Sequence, residues 1–178
     1  TKISMHPGKS QTESQGSSGL LADMSELMLS ASMDWTVKLW NPKNEVKSEP
    51  LFTFESSQEY VYDVQWSPVH PTVFAAIDGD GYIDLWDINK DTESPIARKK
   101  AFETSNTGAY KDFDDTKALS CLKWSRDGRR IAIGNSDGYI SIWQCDKELY
   151  MPKQSDFDFI EALLKNNSTD SNDKGIVS

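Results

Sequence analysis

At 178 residues the chain is long enough to bury a sizeable core and reads by length as a single domain. A formal net charge of -9 and a pI near 4.7 create a field that repels nucleic acid and anionic membrane, and no apolar run approaches the roughly 20 residues that span a bilayer. Cys121 and Cys145 form no CxxC pair and read as reduced thiols.

In chain order, a first strand over 1–7 (TKISMHP) leads through a Gly/Ser-rich loop, 8–19, to a segment that then recurs. Leu27 to Trp40 (LMLSASMDWTVKLW), Val73 to Trp86 (VFAAIDGDGYIDLW) and Arg130 to Trp143 (RIAIGNSDGYISIW) each carry a short apolar run, a tight turn and an alternating strand that ends in Trp. Ahead of the second and third copies lie strands over Val61 to Pro68 and Leu119 to Gly128, and Leu51 to Phe54 supplies a fourth strand to the first copy. Val37 and Leu39, Ile83 and Leu85, and Ile140 and Ile142 point to one face of their strands, while the Trp-bearing positions point to the other. Bulk on both faces suits a sheet packed between two neighbours. Gly79-Asp80-Gly81 and Ser136-Asp137-Gly138 supply the residues that tight hairpins demand.

The terminal tryptophans are 46 and 57 residues apart, against about 40–45 for one blade of a WD-repeat propeller. The excess reads as loop, in the second interval between Ala97 and Lys117. The fold class expected is therefore all-β: about three four-stranded blades of a larger WD40-type propeller, at 1–54, 55–101 and 118–151, together forming a partial propeller over 1–154. Because a ring needs four or more blades, further repeats are expected on the N-terminal side, in keeping with a start inside a strand. Residues 155–166 (SDFDFIEALLKN) read as a helix, with Ser155 as cap, Asp156 and Asp158 in the first turn and Phe157, Ile160, Leu163 and Leu164 on one side. The polar stretch 167–178 is expected to be disordered.

Two longer strings narrow the family. Asp34 to Trp40 (DWTVKLW) and Tyr60 to Pro71 (YVYDVQWSPVHP), followed by Leu85 to Asn89 (LWDIN), resemble the C-terminal propeller of cytoplasmic dynein intermediate chains from about Leu27 to Lys165. The acidic insertion before Lys117 and the Ser-rich loop after Gly8 depart from that pattern. The resemblance implies a non-catalytic scaffold subunit of a microtubule motor, cytoplasmic and cytoskeleton-associated. Its propeller would hold the dynein heavy chain, while dynein light chains and dynactin would bind a region N-terminal to it. The alternative is a WD-repeat adaptor of another machine, of ubiquitin-ligase or chromatin type.

Trp40, Trp86 and Trp143 occupy one repeated position and Trp66 and Trp124 another, so all five read as blade core. Trp35 stands where the other copies have Gly81 and Gly138, and with Tyr60, Tyr82 and Tyr139 it is the candidate partner-facing set. Asp34, Asp80 and Asp137 recur once per copy and are expected to accept hydrogen bonds from their own turns. His6 and His70, each beside a proline, lack ligand spacing, and neither a nucleophile elbow nor a phosphate loop occurs. No catalytic residue, metal or cofactor is expected.

Overall fold

The computed structural model describes residues 2–8, 27–42, 49–102 and 117–169. The alternating segments fold as antiparallel strands that hydrogen-bond in sequence order. The first sheet is β1 (Lys2–Met5), β2 (Met28–Ala31), β3 (Val37–Trp40) and β4 (Phe52–Phe54); the second is β5 (Val61–Trp66), β6 (Val73–Asp78), β7 (Tyr82–Asp87) and β8 (Ala97–Lys100). The third sheet holds β9 (Leu119–Trp124), β10 (Arg130–Asn135) and β11 (Ile140–Gln144), three strands among the described residues rather than the four expected. A 3-10 turn (Lys147–Leu149) leads to the helix α1 (Gln154–Thr169).

The first strands of successive sheets lie side by side. Trp66 N donates to Ser4 Oγ at 3.3 Å, Leu122 N to Asp63 Oδ2 at 3.0 Å and Trp124 Nε1 to the Gln65 carbonyl at 3.2 Å. Asp63 is buried, and its other oxygen accepts Val64 N, so one carboxylate fixes a strand of the second sheet to a strand of the third.

Register explains where the core sits. Trp66, Phe74 and Trp86 are cross-strand partners on one face of the second sheet, against Leu29, Leu39 and Phe54 of the first. Phe74 stacks on Trp86 at 6.0 Å, and Phe54 meets both rings at about 5 Å. The opposite face, with Val73, Ala75, Ile77, Ile83 and Leu85, packs on Leu122, Trp124, Ile131 and Ile133 of the third. The second sheet is thus covered on both sides, as its two-faced bulk requires.

Two elements differ from expectation. Ala97–Lys100, read as the start of a loop, forms β8 against β7, with Tyr82 opposite Lys100 and Leu85 opposite Ala97. Its charges obscure the alternation because it is an outer strand, where Lys and Arg are favoured. The helix begins at Gln154 and continues through Thr169, so 167–169 are helical rather than part of a disordered tail. Ser155 is not its cap: Asp156 accepts Lys153 N through Oδ2 at 2.7 Å and donates its own N–H to the Lys153 carbonyl at 3.1 Å. The loop residues 9–19, the insertion residues 103–116 and the tail residues 170–178 lie outside the described residues.

Candidate partner interface

The turns between the second and third strands of each sheet lie at one end of the molecule, and side-chain oxygens organise each of them. In the second sheet the oxygen belongs to Asp78, whose Oδ1 accepts Asp80 N at 3.1 Å and Tyr82 N at 2.9 Å. In the third it belongs to Asn135, which accepts Asp137 N and Tyr139 N at 3.1 and 2.9 Å. In the first sheet two side chains share this role. Ser32 Oγ accepts Asp34 N, and Asp34 Oδ1 accepts Thr36 N. Lys38 Nζ lies 2.6 Å from Asp34 Oδ2 and, as the main cause, holds that carboxyl at about 2. Asp34 therefore fills the anticipated role, whereas in the other two sheets the acceptor stands two residues before Asp80 and Asp137.

Trp35 adopts φ 71°, and Gly81 and Gly138 at the equivalent places adopt 84°. A side chain in this left-handed conformation costs about 1 kcal/mol relative to glycine. Trp35 carries that strain with its indole exposed. The Ser32 carbonyl accepts Val61 N at 3.2 Å, which sets this turn against the start of β5. There Tyr60 and Tyr62 are both exposed and meet edge to face at 6.4 Å. Tyr62 sits at a register shift between Val61 and Asp63, a bulge that turns it out of the sheet. Sequence reasoning passed over Tyr62, although Val61-Tyr62-Asp63-Val64 breaks strict alternation and so carried a signal.

Tyr82 differs from the other candidates. It is half-buried, with Arg98 Cζ 4.3 Å and Lys100 Nζ 4.4 Å from its ring centroid. Arg98 bridges Asp78 Oδ2 at 2.8 Å and Asp84 Oδ2 at 2.6 Å. Ser56 and Ser57, from the link between the first two sheets, donate to the same two carboxylates. Burial pushes the Asp84 carboxyl above its ordinary range, against the pull of Ser56 and Arg98. Tyr82 belongs to a clasp of the second sheet, whereas Tyr139 is exposed on the third.

Of the five repeated tryptophans, Trp66, Trp86 and Trp124 are buried, while Trp40 and Trp143 are half-buried. Trp143 Nε1 donates to the Ala101 carbonyl of the preceding blade and to Ser141 Oγ. Trp40 Nε1 donates to Ser30 Oγ, and no sheet precedes it among the described residues.

The helix covers the other end of the molecule. Asp156 accepts Asn89 Nδ2 at 2.8 Å and lies 3.5 Å from His70 Nε2, and Ile160 and Leu164 enter the first core. His6 Nε2 meets the Pro71 carbonyl at 2.9 Å, and Gly8 N donates to its Nδ1. Burial lowers the pKa of both histidines as the leading cause. These contacts give His6 and His70 structural work. Among the described residues no group of three or more His, Cys, Asp or Glu side chains is arranged to hold a metal, and no helix is long and apolar enough to cross a membrane. Cys121 and Cys145 are free thiols, and burial pushes that of Cys145 up to about 11.

The model of the WD domain, G-beta repeat, matches residues 18–41, 48–87 and 110–144. A Drosophila melanogaster protein described as cytoplasmic dynein 1 intermediate chain is 38% identical over 138 residues, covering 78% of this chain and 19% of the relative. The chain thus spans about a fifth of that relative's length. The solved WD40 domain of Toxoplasma gondii coronin superposes with a TM-score of 0.58 at 19% identity, covering 80% of this chain and 30% of that one, a likeness of fold alone.

Proposed function

The chain belongs to the WD-repeat family, and from that premise we propose that it is a non-catalytic scaffold unit of the cytoplasmic dynein motor, holding the heavy-chain tail and supporting microtubule-based transport. The observation that carries this reading is the 38% identity over 138 residues to a cytoplasmic dynein 1 intermediate chain. The fold supports it. A blade covered on both faces uses its bulk in packing and leaves turns and strand starts for contact, so recognition falls to rim residues held by a rigid scaffold.

Of the four rim candidates we assign Trp35, Tyr60 and Tyr139 to the partner-facing rim, while Tyr82, under Arg98 and Lys100, serves the clasp of its own sheet. Dynein light chains and dynactin fall to a region of the intermediate chain outside this sequence. The site of action is the cytoplasm, on microtubules.

The test is capture from cytosol on the tagged chain, read by mass spectrometry. Recovery of a dynein heavy chain is the expected result. Recovery of ubiquitin-ligase or chromatin subunits without a heavy chain would leave a WD-repeat adaptor and remove the motor.

A further inference from the structure

Four apolar side chains are exposed together where the first two sheets meet: Met33 at 60%, Trp35 at 51%, Tyr60 at 42% and Tyr62 at 39%. The Ser32–Val61 hydrogen bond joins the turn carrying the first pair to the strand start carrying the second. Two independent backbone irregularities aim one member of each pair outward. Trp35 holds a left-handed φ that the other two turns leave to glycine, and Tyr62 stands on a bulge in the first strand of its sheet. Strained dihedrals and bulges both concentrate at binding sites, where the surrounding structure keeps them in place.

The charge around this cluster is acidic. Glu55 and Glu59 lie on the link that leads into β5, and the Val37–Phe54 pairing sets Glu55 opposite Thr36, next to Trp35. A side chain at Gly79 would meet Tyr62 Cε2 at 3.3 Å and Glu59 Oε2 at 3.6 Å, which places that carboxylate beside the aromatic pair. Two nearby cations are paired within the chain, Lys38 by Asp34 and Arg98 by Asp78 and Asp84, while the Lys100 ammonium rests on the Asp80 carbonyl and offsets the charge of Asp80. With a net charge of -9, the far field has the same sign as the near one.

We infer that Met33, Trp35, Tyr60 and Tyr62 form the docking surface for a partner segment in which apolar side chains alternate with Lys or Arg, an inference that rests on the scaffold reading above. The apolar groups of the segment cover the four side chains, and its cations face Glu55 and Glu59. Cations over the Trp35 and tyrosine faces add to the attraction. This narrows the rim: Tyr82, already covered by its own Arg98 and Lys100, and Tyr139, on the third sheet, fall outside the surface.

Two probes test it on the chain: the purified dynein heavy-chain tail, and an amphipathic Leu–Lys peptide compared with its Leu–Glu counterpart. Trp35→Gly gives the turn the residue its φ favours while removing the indole, so the fold is kept; Tyr62→Ala removes the second ring. Either change is expected to weaken both the tail and the Leu–Lys peptide at least tenfold, and together with Glu55→Lys to abolish the preference for Lys over Glu. Equal affinity for the two peptides, or Leu–Lys binding untouched by Trp35→Gly and Tyr62→Ala, would overturn the inference. Failure of the wild-type chain to bind the tail, with the Leu–Lys preference intact, would remove dynein as the partner and leave the surface standing.

Discussion

At Trp35 a single dihedral angle sets stability against exposure. The φ of 71° costs about 1 kcal/mol for any side chain with a Cβ, and the half-exposed indole recovers little of that by packing. Trp35→Gly is therefore expected to raise the thermal midpoint by about 2 °C, since glycine relieves the turn while loosening the unfolded chain by a smaller amount. Differential scanning fluorimetry checks this, and a fall of several degrees would show that the indole supports the fold. The histidines predict the opposite kind of effect. His6 and His70 are buried, with their pKa values below the ordinary 6.5, so the unfolded state takes up protons before the folded state does. Stability should be full above about pH 6.5 and fall as the pH drops from there towards the folded-state values. The urea midpoint should be lower at pH 5.5 than at 7.5, and His6→Gln with His70→Gln should flatten that difference. The position of Trp35 was legible because a Trp stood in a column of glycines. The turn acceptors were not: Asp78 and Asn135 close apolar strands and read as strand, and only the backbone shows their side chains reaching the N–H groups two and four residues on.

At the scale of elements, the helix is joined to the sheets by a polar point and an apolar strip. Asp156 is buried, accepts from Lys153 N and Asn89 Nδ2 and faces His70, while Ile160 and Leu164 fill the core between the first two sheets. Asp156→Ala removes a charged acceptor from two donors and is expected to cost about 2 kcal/mol. The loss should appear first as faster amide exchange in 156–165, with β6 and β7 still protected. Uniform loss of protection in both would mean that helix and sheets open as one unit. The helix itself was visible from Phe157, Ile160, Leu163 and Leu164, four apolar side chains at helical spacing. Its start differs from expectation because the helix begins one residue before Ser155, which puts Ser155 inside the first turn and leaves Asp156 to reach back to the Lys153 N–H. Strand β8 escaped for a different reason. Its pairing comes from the β7 backbone and from Arg98 reaching Asp78 and Asp84, neither of which leaves an apolar period in Ala97–Lys100.

For the molecule as a whole, repetition shows which surfaces are built to be covered. By register, Ile140 and Ile142 of β11 stand where Ile83 and Leu85 stand in β7 and Val37 and Leu39 in β3, counted back from Trp143, Trp86 and Trp40. The earlier pairs are buried against the next sheet; Ile140 and Ile142 are 72% and 69% exposed. On the first sheet Met5, Met28 and Trp40 correspond to Trp66, Phe74 and Trp86, and they too face away from the packed side. Among the described residues no sheet packs on either face, and the two are the halves of one repeated joint, an aliphatic face and an aromatic one. In the chain on its own these surfaces should find each other between copies, because complementary patches on opposite sides of a molecule associate head to tail. Light scattering should therefore give a mass above the 20.1 kDa of one chain, rising with concentration. Ile140→Asp with Ile142→Asp should return it towards the single-chain value while moving unfolding by no more than about 0.5 kcal/mol, as expected of exposed positions. The same pair of changes at Ile83 and Leu85 would place charges between two sheets and unfold the protein. An unchanged mass for the Ile140 and Ile142 variant would mean that association runs through the rim around Trp35 and Tyr62, and adding Trp35→Gly to the same sample separates the two surfaces.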